Sequence, residues 1–259
     1  MIHIPYNKAD YYLPENFNEL TGDQVVRIAK LLRQENDNAA HELQLLHELL
    51  DINMFSFFRI PLDAKAAMLT LIDWVFGDNT LTKQLLPEYK GFFGPKSEFD
   101  NLTLGEFHCS ETYYHGMAAG DQAALNNLVA VLYRVPAENY DIEKDSAGDI
   151  RITFNTNELA FYAKKIASWP IEVKTAIVMW YDGCRQNLVQ LYDEVFSAPG
   201  APDHTQEETG MYSMIRNLSG DKFGKIKEVE SVYVHNAFFE IEQVMEDNRR
   251  QDAALKTRT

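Results

Sequence analysis

The chain has 259 residues, of which 46% are apolar and 12% aromatic, enough to bury a core of ordinary size and too much for a disordered chain. Lys and Arg number 24 against 39 Asp and Glu, a formal charge of -15. Gripping phosphate backbones or anionic lipid needs a basic surface, so direct nucleic-acid binding and membrane docking are both disfavoured.

Met1–Tyr6 lacks the basic start and apolar run of a signal peptide, and no window approaches the roughly 18 apolar residues of a membrane span. Residues 1–18, rich in Pro, Asn and Tyr, read as an extended arm that packs on its own domain or reaches a neighbouring subunit. A helix follows. Thr21 caps it, Gln24 completes a capping box, and Leu20 and Val25 stand at the staple positions. Val25, Ile28, Leu31 and Leu32 form its stripe. A second helix spans 38–50, with Leu43, Leu46 and Leu50 on one face. The stretch 51–60, with Met54, Phe55, Phe57 and Phe58, is expected to be buried. Pro61 breaks the chain, and Asp63 opens a helix through Met68, Leu71 and Trp74 to Gly77.

Residues 85–101 are punctuated by Gly and Pro and read as an ordered loop packed by Tyr89, Phe92 and Phe93. Helices are expected at 103–117 and 121–133, the second lined by Ala124, Leu125, Leu128, Val131 and Leu132. The polar, acidic stretch 136–148 is the best boundary. Ile150, Ile152 and Phe154 alternate with polar residues, a strand signal. Asn155 and Glu158 offer another capping box, before a helix through Leu159, Tyr162 and Ile166. Pro170 opens the most regular helix, with Val173, Ile177, Trp180, Tyr181, Cys184, Leu188, Leu191 and Val195 at intervals of three and four. A linker at 197–203 leads to a short helix at 207–218 and a last helix at 231–250 through Val234, Phe238, Ile241 and Met245. The fold class is mainly α: a multi-helix bundle with one or two short β-strands and an ordered aromatic loop. It is arranged as halves 1–135 and 149–259, or as one continuous domain.

Chemistry-bearing motifs are sparse. The two cysteines, Cys109 and Cys184, have neither CxxC nor zinc spacing, and both are expected reduced in or near the core. No GxSxG, P-loop or GxGxxG occurs. His41 and His47 lie six apart, about 120° around a helix, so they do not share an ion; His47 falls on the apolar side and His41 on the wet side. His108, Glu111 and His115 lie at i, i+3 and i+7 on one helix side and are the only metal or acid–base candidates. A carboxylate-bridged di-metal bundle needs Glu-x-x-His pairs that are missing here. No metal site or cofactor is therefore assigned, and a helical metal-dependent enzyme using Glu111, His108 and His115 stands as the alternative. Asn248, Arg249 and Arg250 with Lys256 and Arg258 make a basic end that suits the helix dipole.

Phe238 and Phe239 are adjacent on a helix and cannot both face one stripe. With Tyr89, Phe92 and Phe93 they are the candidate partner contacts. The acidic residues are spread along the chain and not set in a ribbon, which disfavours a DNA-mimicking inhibitor.

Three segments carry a family resemblance. They are Leu13-Pro14-Glu15-Asn16-Phe17-Asn18-Glu19-Leu20-Thr21, then Asn101-Leu102-Thr103-Leu104-Gly105-Glu106-Phe107 with Tyr113-Tyr114, then Leu128 through Arg134. They resemble helical proteins encoded among the virion morphogenesis genes of tailed bacteriophages and prophages. The resemblance departs where Val135 separates Arg134 from Pro136. It implies a noncatalytic tail-assembly chaperone or minor virion component with no catalytic residues. The implied partners are other tail or virion proteins, or further copies of the chain. The implied setting is the bacterial host cytoplasm during assembly, or the virion. This reading expects no converging set of donor atoms and no deep cleft ringed with ionisable groups.

Overall fold

A computed structural model describes residues 1–6, 9–34, 38–138, 140–141, 148–197 and 224–256. The helix expected at 207–218 lies outside them. The described residues are mainly helical, with two two-stranded antiparallel sheets. They form two units: Met1–Leu86 with Trp169–Gln186, and Pro87–Ser168 with Asn187–Thr259. The division does not fall at 136–148. The described residues of that stretch lie inside the second unit, where Ala137 N–H donates to Ile150 O at 2.8 Å and Ile152 N–H to Val135 O at 3.0 Å.

In the first unit the N-terminal arm folds back as a hairpin of β1 (Ile2–Tyr6) and β2 (Ala9–Leu13), with Ile2 opposite Leu13. Phe17 meets the edge of Trp74 at 4.8 Å, and Trp74 Nε1 donates to Pro14 O at 3.2 Å. Helix α1 (Gly22–Leu32) opens on the expected capping box. Gln24 N–H donates to Thr21 Oγ1 at 3.2 Å, and Thr21 N–H to Gln24 Oε1 at 2.9 Å. Leu20 and Val25 are both buried beside it. The Gln24 side chain then reaches Leu49 O at 3.0 Å, tying α1 to the end of α2 (Ala39–Leu50). The buried face of α2 runs through His41, Leu45, Leu46, Leu49 and Leu50. His41 is therefore inside, not on the wet side as expected. The i, i+4 row through 41, 45 and 49 sets the inward face, and it turns Leu43 to a half-buried position.

Helix α3 (Met54–Arg59) corrects another expectation. A helix of six residues has one inward face, and Phe57 takes it. Met54, Phe55 and Phe58 are left 50%, 67% and 73% exposed. After Pro61, α4 (Leu62–Leu69) stops short of Gly77. Thr70 Oγ1 turns back to Ala67 O at 2.8 Å, a bond that competes with helical continuation, and Asp73–Phe76 form a 3-10 turn. In α8 (Ile171–Leu191) the expected stripe holds: Val173, Ile177, Trp180, Tyr181, Cys184 and Leu188 are all buried, whereas Leu191 is out. Val195 is also buried but belongs to a separate α9 (Asp193–Ser197).

In the second unit the aromatic loop is ordered. Strands β3 (Glu88–Tyr89) and β4 (Phe92–Phe93) pair across Lys90 and Gly91, whose φ values of 51° and 75° make a left-handed two-residue turn matched to strand twist. Phe93 exchanges backbone hydrogen bonds of 2.8 and 3.1 Å with Arg134. Helix α5 (Leu104–Ala118) packs on α6 (Ala124–Leu132), which packs on α7 (Leu159–Ile166). The short α10 (Ile226–Glu230) precedes α11 (Val234–Lys256). Leu104 N–H donates to Val232 O, and Val234 N–H to Leu102 O, pinning the starts of α5 and α11 together. Phe107 packs edge-on against Phe99 and Phe238, and Phe238 against Tyr192 and Phe196.

Candidate functional site

Two helix ends in the second unit build a buried charge cluster. Helix α5 starts at a capping box: Glu106 N–H donates to Thr103 Oγ1 at 3.2 Å, and Thr103 N–H to Glu106 Oε2 at 2.8 Å. The carboxylate thus sits in the first turn, at the positive end of the helix. Helix α6 ends at Leu132, where the last carbonyls have no helical partner. Two guanidiniums take them: Arg134 Nη1 donates to Val131 O at 2.6 Å, and Arg151 Nη1 to Leu132 O at 2.9 Å. Cations at that end also complement the helix dipole.

The remaining contacts close the cluster. Arg134 Nε donates to Ile152 O at 2.8 Å, and Arg151 Nη2 to Asn101 O at 3.2 Å. Glu106 Oε1 contacts Arg134 Nη1 and lies 3.5 Å from Arg151 Nη1. Asp149 grips Arg151 with both oxygens, each at 2.8 Å, the bidentate geometry that makes such pairs strong. Side-chain exposure is 0% for both Glu106 and Arg151. Burial draws the Arg151 guanidinium down, but Glu106 and Asp149 outweigh it, and the net shift is upward. For Arg134 burial outweighs the pull of Glu106 and leaves it below the ordinary arginine value.

This cluster explains why the strand expected at 150–154 does not form. Only an isolated bridge, Pro136 with Arg151, is present. The residue that turns fully inward is Arg151, while Ile150, Ile152 and Phe154 stay half-buried.

Beside the cluster lies a cleft of about 800 Å³. Glu106, Arg134, Asp149 and Arg151 line it together with His108, Cys109 and Tyr113 of α5 and Lys227 and Tyr233. A cleft ringed with ionisable groups departs from the expectation that none exists. The signal was the set of charges that the helix ends require. The four acids and bases are engaged with one another. Burial, and secondarily Glu106, pushes the Cys109 thiol from 9.0 up to about 11. Burial, then Cys109 and Asp121, raises Tyr113.

Both groups are therefore protonated near neutral pH, and Cys109 is a poor nucleophile, because the thiolate is the reactive form. Alkylation of Cys109 in the native chain is expected to be about a hundredfold slower than in the denatured chain near pH 7. Mass spectrometry of iodoacetamide-treated protein measures it. Because the folded thiol titrates above its unfolded value of 9.0, its contribution to stability is full below pH 9.0 and is lost as pH climbs through about 11.

The other candidates are scattered. Glu111 is buried, and its Oε2 lies 3.6 Å from His115 Nε2 one turn on. His108 lines the cleft, which Glu111 and His115 do not. Among the described residues no group of three or more His, Cys, Asp or Glu is placed to hold a metal ion. Tyr89 and Phe93 are half-buried in the hairpin, and Phe92 is buried with its ring edge-on to Tyr162. Phe238 is in the core and Phe239 is 54% exposed, so of the adjacent pair only Phe239 presents a surface. Arg249 pairs with Glu194, and Arg250 with Glu246. The side chain of Lys256 and the whole of Arg258 lie outside the described residues.

Sequence reasoning missed Glu106, Arg134, Asp149 and Arg151. Thr103-x-x-Glu106 is a capping-box signature of the same kind as Thr21-x-x-Gln24 and was available.

The first unit carries a different feature. Phe55 and Phe58 share one face of α3, with Met54 beside them and Leu62, 73% exposed, at the start of α4. The Arg59 guanidinium lies 4.2 Å over the Phe55 ring, and the Lys65 amine 4.4 Å over Phe57. Large apolar side chains grouped in this way on a surface mark a contact face, whereas single ones do not.

No helix among the described residues is long and apolar enough to cross a membrane. Neither a family model, nor a curated protein, nor a solved structure matches the chain.

Proposed function

We propose that this chain is a noncatalytic protein that works by binding other polypeptides. In this reading it is a tail-assembly chaperone or virion-associated component of a tailed bacteriophage, acting in the host cytoplasm during assembly. The observation that carries the interaction role is the group Met54, Phe55, Phe58 and Leu62, each at least half exposed on α3 and α4. Water-exposed aromatic area of this kind is costly unless a partner covers it. The cleft of the second unit is the feature that runs against this reading. Within it Glu106, Arg134, Asp149 and Arg151 are engaged with helix ends and one another, and burial raises the Cys109 thiol and the Tyr113 phenol. The phage setting is supported by the resemblance of residues 13–21, 101–107, 113–114 and 128–134 to morphogenesis proteins.

Affinity capture from cells co-expressing the tagged chain with a phage tail-gene cluster tests the proposal. Recovery of a tail protein with the wild-type chain, and its loss with Phe58→Asp, is the expected result. A chain that recovers no tail protein and turns over a substrate in the cleft would sink it.

A further inference from the structure

We propose that the α3–α4 surface docks a second copy of this chain across a two-fold axis, so that the free protein is a reversible dimer. The inference rests on reading that surface as a protein-contact face. Phe55 and Phe58 at 67% and 73% exposure, with Met54 and Leu62, set the apolar centre. Together they offer roughly 500 Å² of apolar area per copy, at the upper end of what monomers leave uncovered. Doubled across an axis, this reaches about 1,000 Å², the lower edge of a specific interface.

What selects a second copy is charge. Arg59 closes α3 and Asp63 follows Leu62 in the first turn of α4, and both are exposed. Neither makes an ion pair within the described residues; Arg59 only lies over the Phe55 ring, and Asp63 stands in the first turn of α4. An isologous contact brings residue i against j and j against i. Arg59 of each copy then meets Asp63 of the other, so one surface supplies both halves of the match. The formal charge of -15 opposes approach of the two bodies, but salt screens that repulsion beyond about 8 Å at physiological ionic strength. Raising salt from low to physiological therefore strengthens self-association, whereas binding of a basic foreign partner would weaken.

Sedimentation equilibrium from low to high micromolar concentration tests this, with circular dichroism to confirm folding of each variant. The wild-type chain is expected to approach twice its mass of 29.7 kDa. Phe58→Asp should remain monomeric, because it buries a carboxylate at the centre of the contact. Arg59→Asp alone should weaken association at least tenfold, and Arg59→Asp with Asp63→Arg should restore it. A wild-type chain that stays monomeric throughout, or a dimer indifferent to Phe58→Asp and to the charge swap, would overturn the proposal. A monomer that still captures a tail protein through Phe58 overturns self-docking and leaves the interaction role standing. A monomer that captures nothing overturns both.

Discussion

Arg151→Met is expected to cost about 3–5 kcal/mol of stability, the usual penalty for breaking one side of a buried ion pair. The arginine makes contacts that methionine cannot replace. It satisfies Leu132 O and Asn101 O, and it neutralises Asp149 and part of the Glu106 charge. Without it, two carboxylates share the single guanidinium of Arg134. Denaturant unfolding should show a lower midpoint with an unchanged slope. The double variant Glu106→Gln with Arg151→Met restores charge balance and should lose less than the sum of the two single variants, because the groups are coupled. A single variant within about 0.5 kcal/mol of wild type would show that the cluster is solvated and not structural.

Gly183→Ala should be nearly as damaging, about 3 kcal/mol, although alanine ordinarily favours a helix interior by about 1 kcal/mol over glycine. The sign reverses because backbone, not side chain, fills the space. A Cβ at this position would lie 2.3 Å from Leu81 O and 2.8 Å from Leu81 N and C. The neighbouring residues cannot yield easily: Trp180 Nε1 donates to Thr82 O at 3.1 Å, and Asn79 Nδ2 to Met179 O at 2.6 Å. Thermal unfolding should shift downward by about 6–12 °C for a loss of this size. Gly77→Ala, where the nearest atom lies at 3.5 Å, is the control and should change little.

Where one residue pattern decided a structure by itself, the sequence was readable. Thr21 and Gln24 name their own cap, and the stripe from Val173 to Leu188 follows one helical period. The reading failed where burial is shared out among competitors. Residues 54–58 are apolar almost throughout, and composition cannot say that Phe57 alone faces inward. At 150–154 the alternation is real, but the one fully buried residue is Arg151, while Thr153 of the same phase is exposed, because Arg151 meets Leu132 O, Asn101 O and the Glu106 carboxylate. The metal-like spacing of His108, Glu111 and His115 was visible on one helix; in the fold His115 and Glu111 lie 3.6 Å apart, and His108 lines the cleft. The cleft was hidden because its lining comes from 103–113, 134, 149–157 and 227–233, a juxtaposition no local window contains.

Glu106, Arg134 and Arg151 also bear on how the second unit reaches its native state. The three side chains shed their water only when α5, α6 and the 149–152 segment have all arrived. Burying any one of these charges before its counter-charge arrives would strip hydration without compensation, so the knot is expected to close after the rate-limiting barrier. Weakening it should leave the refolding rate almost untouched and appear as faster unfolding. The cluster then acts as a latch on the finished fold, setting how long the native chain lasts more than how quickly it forms.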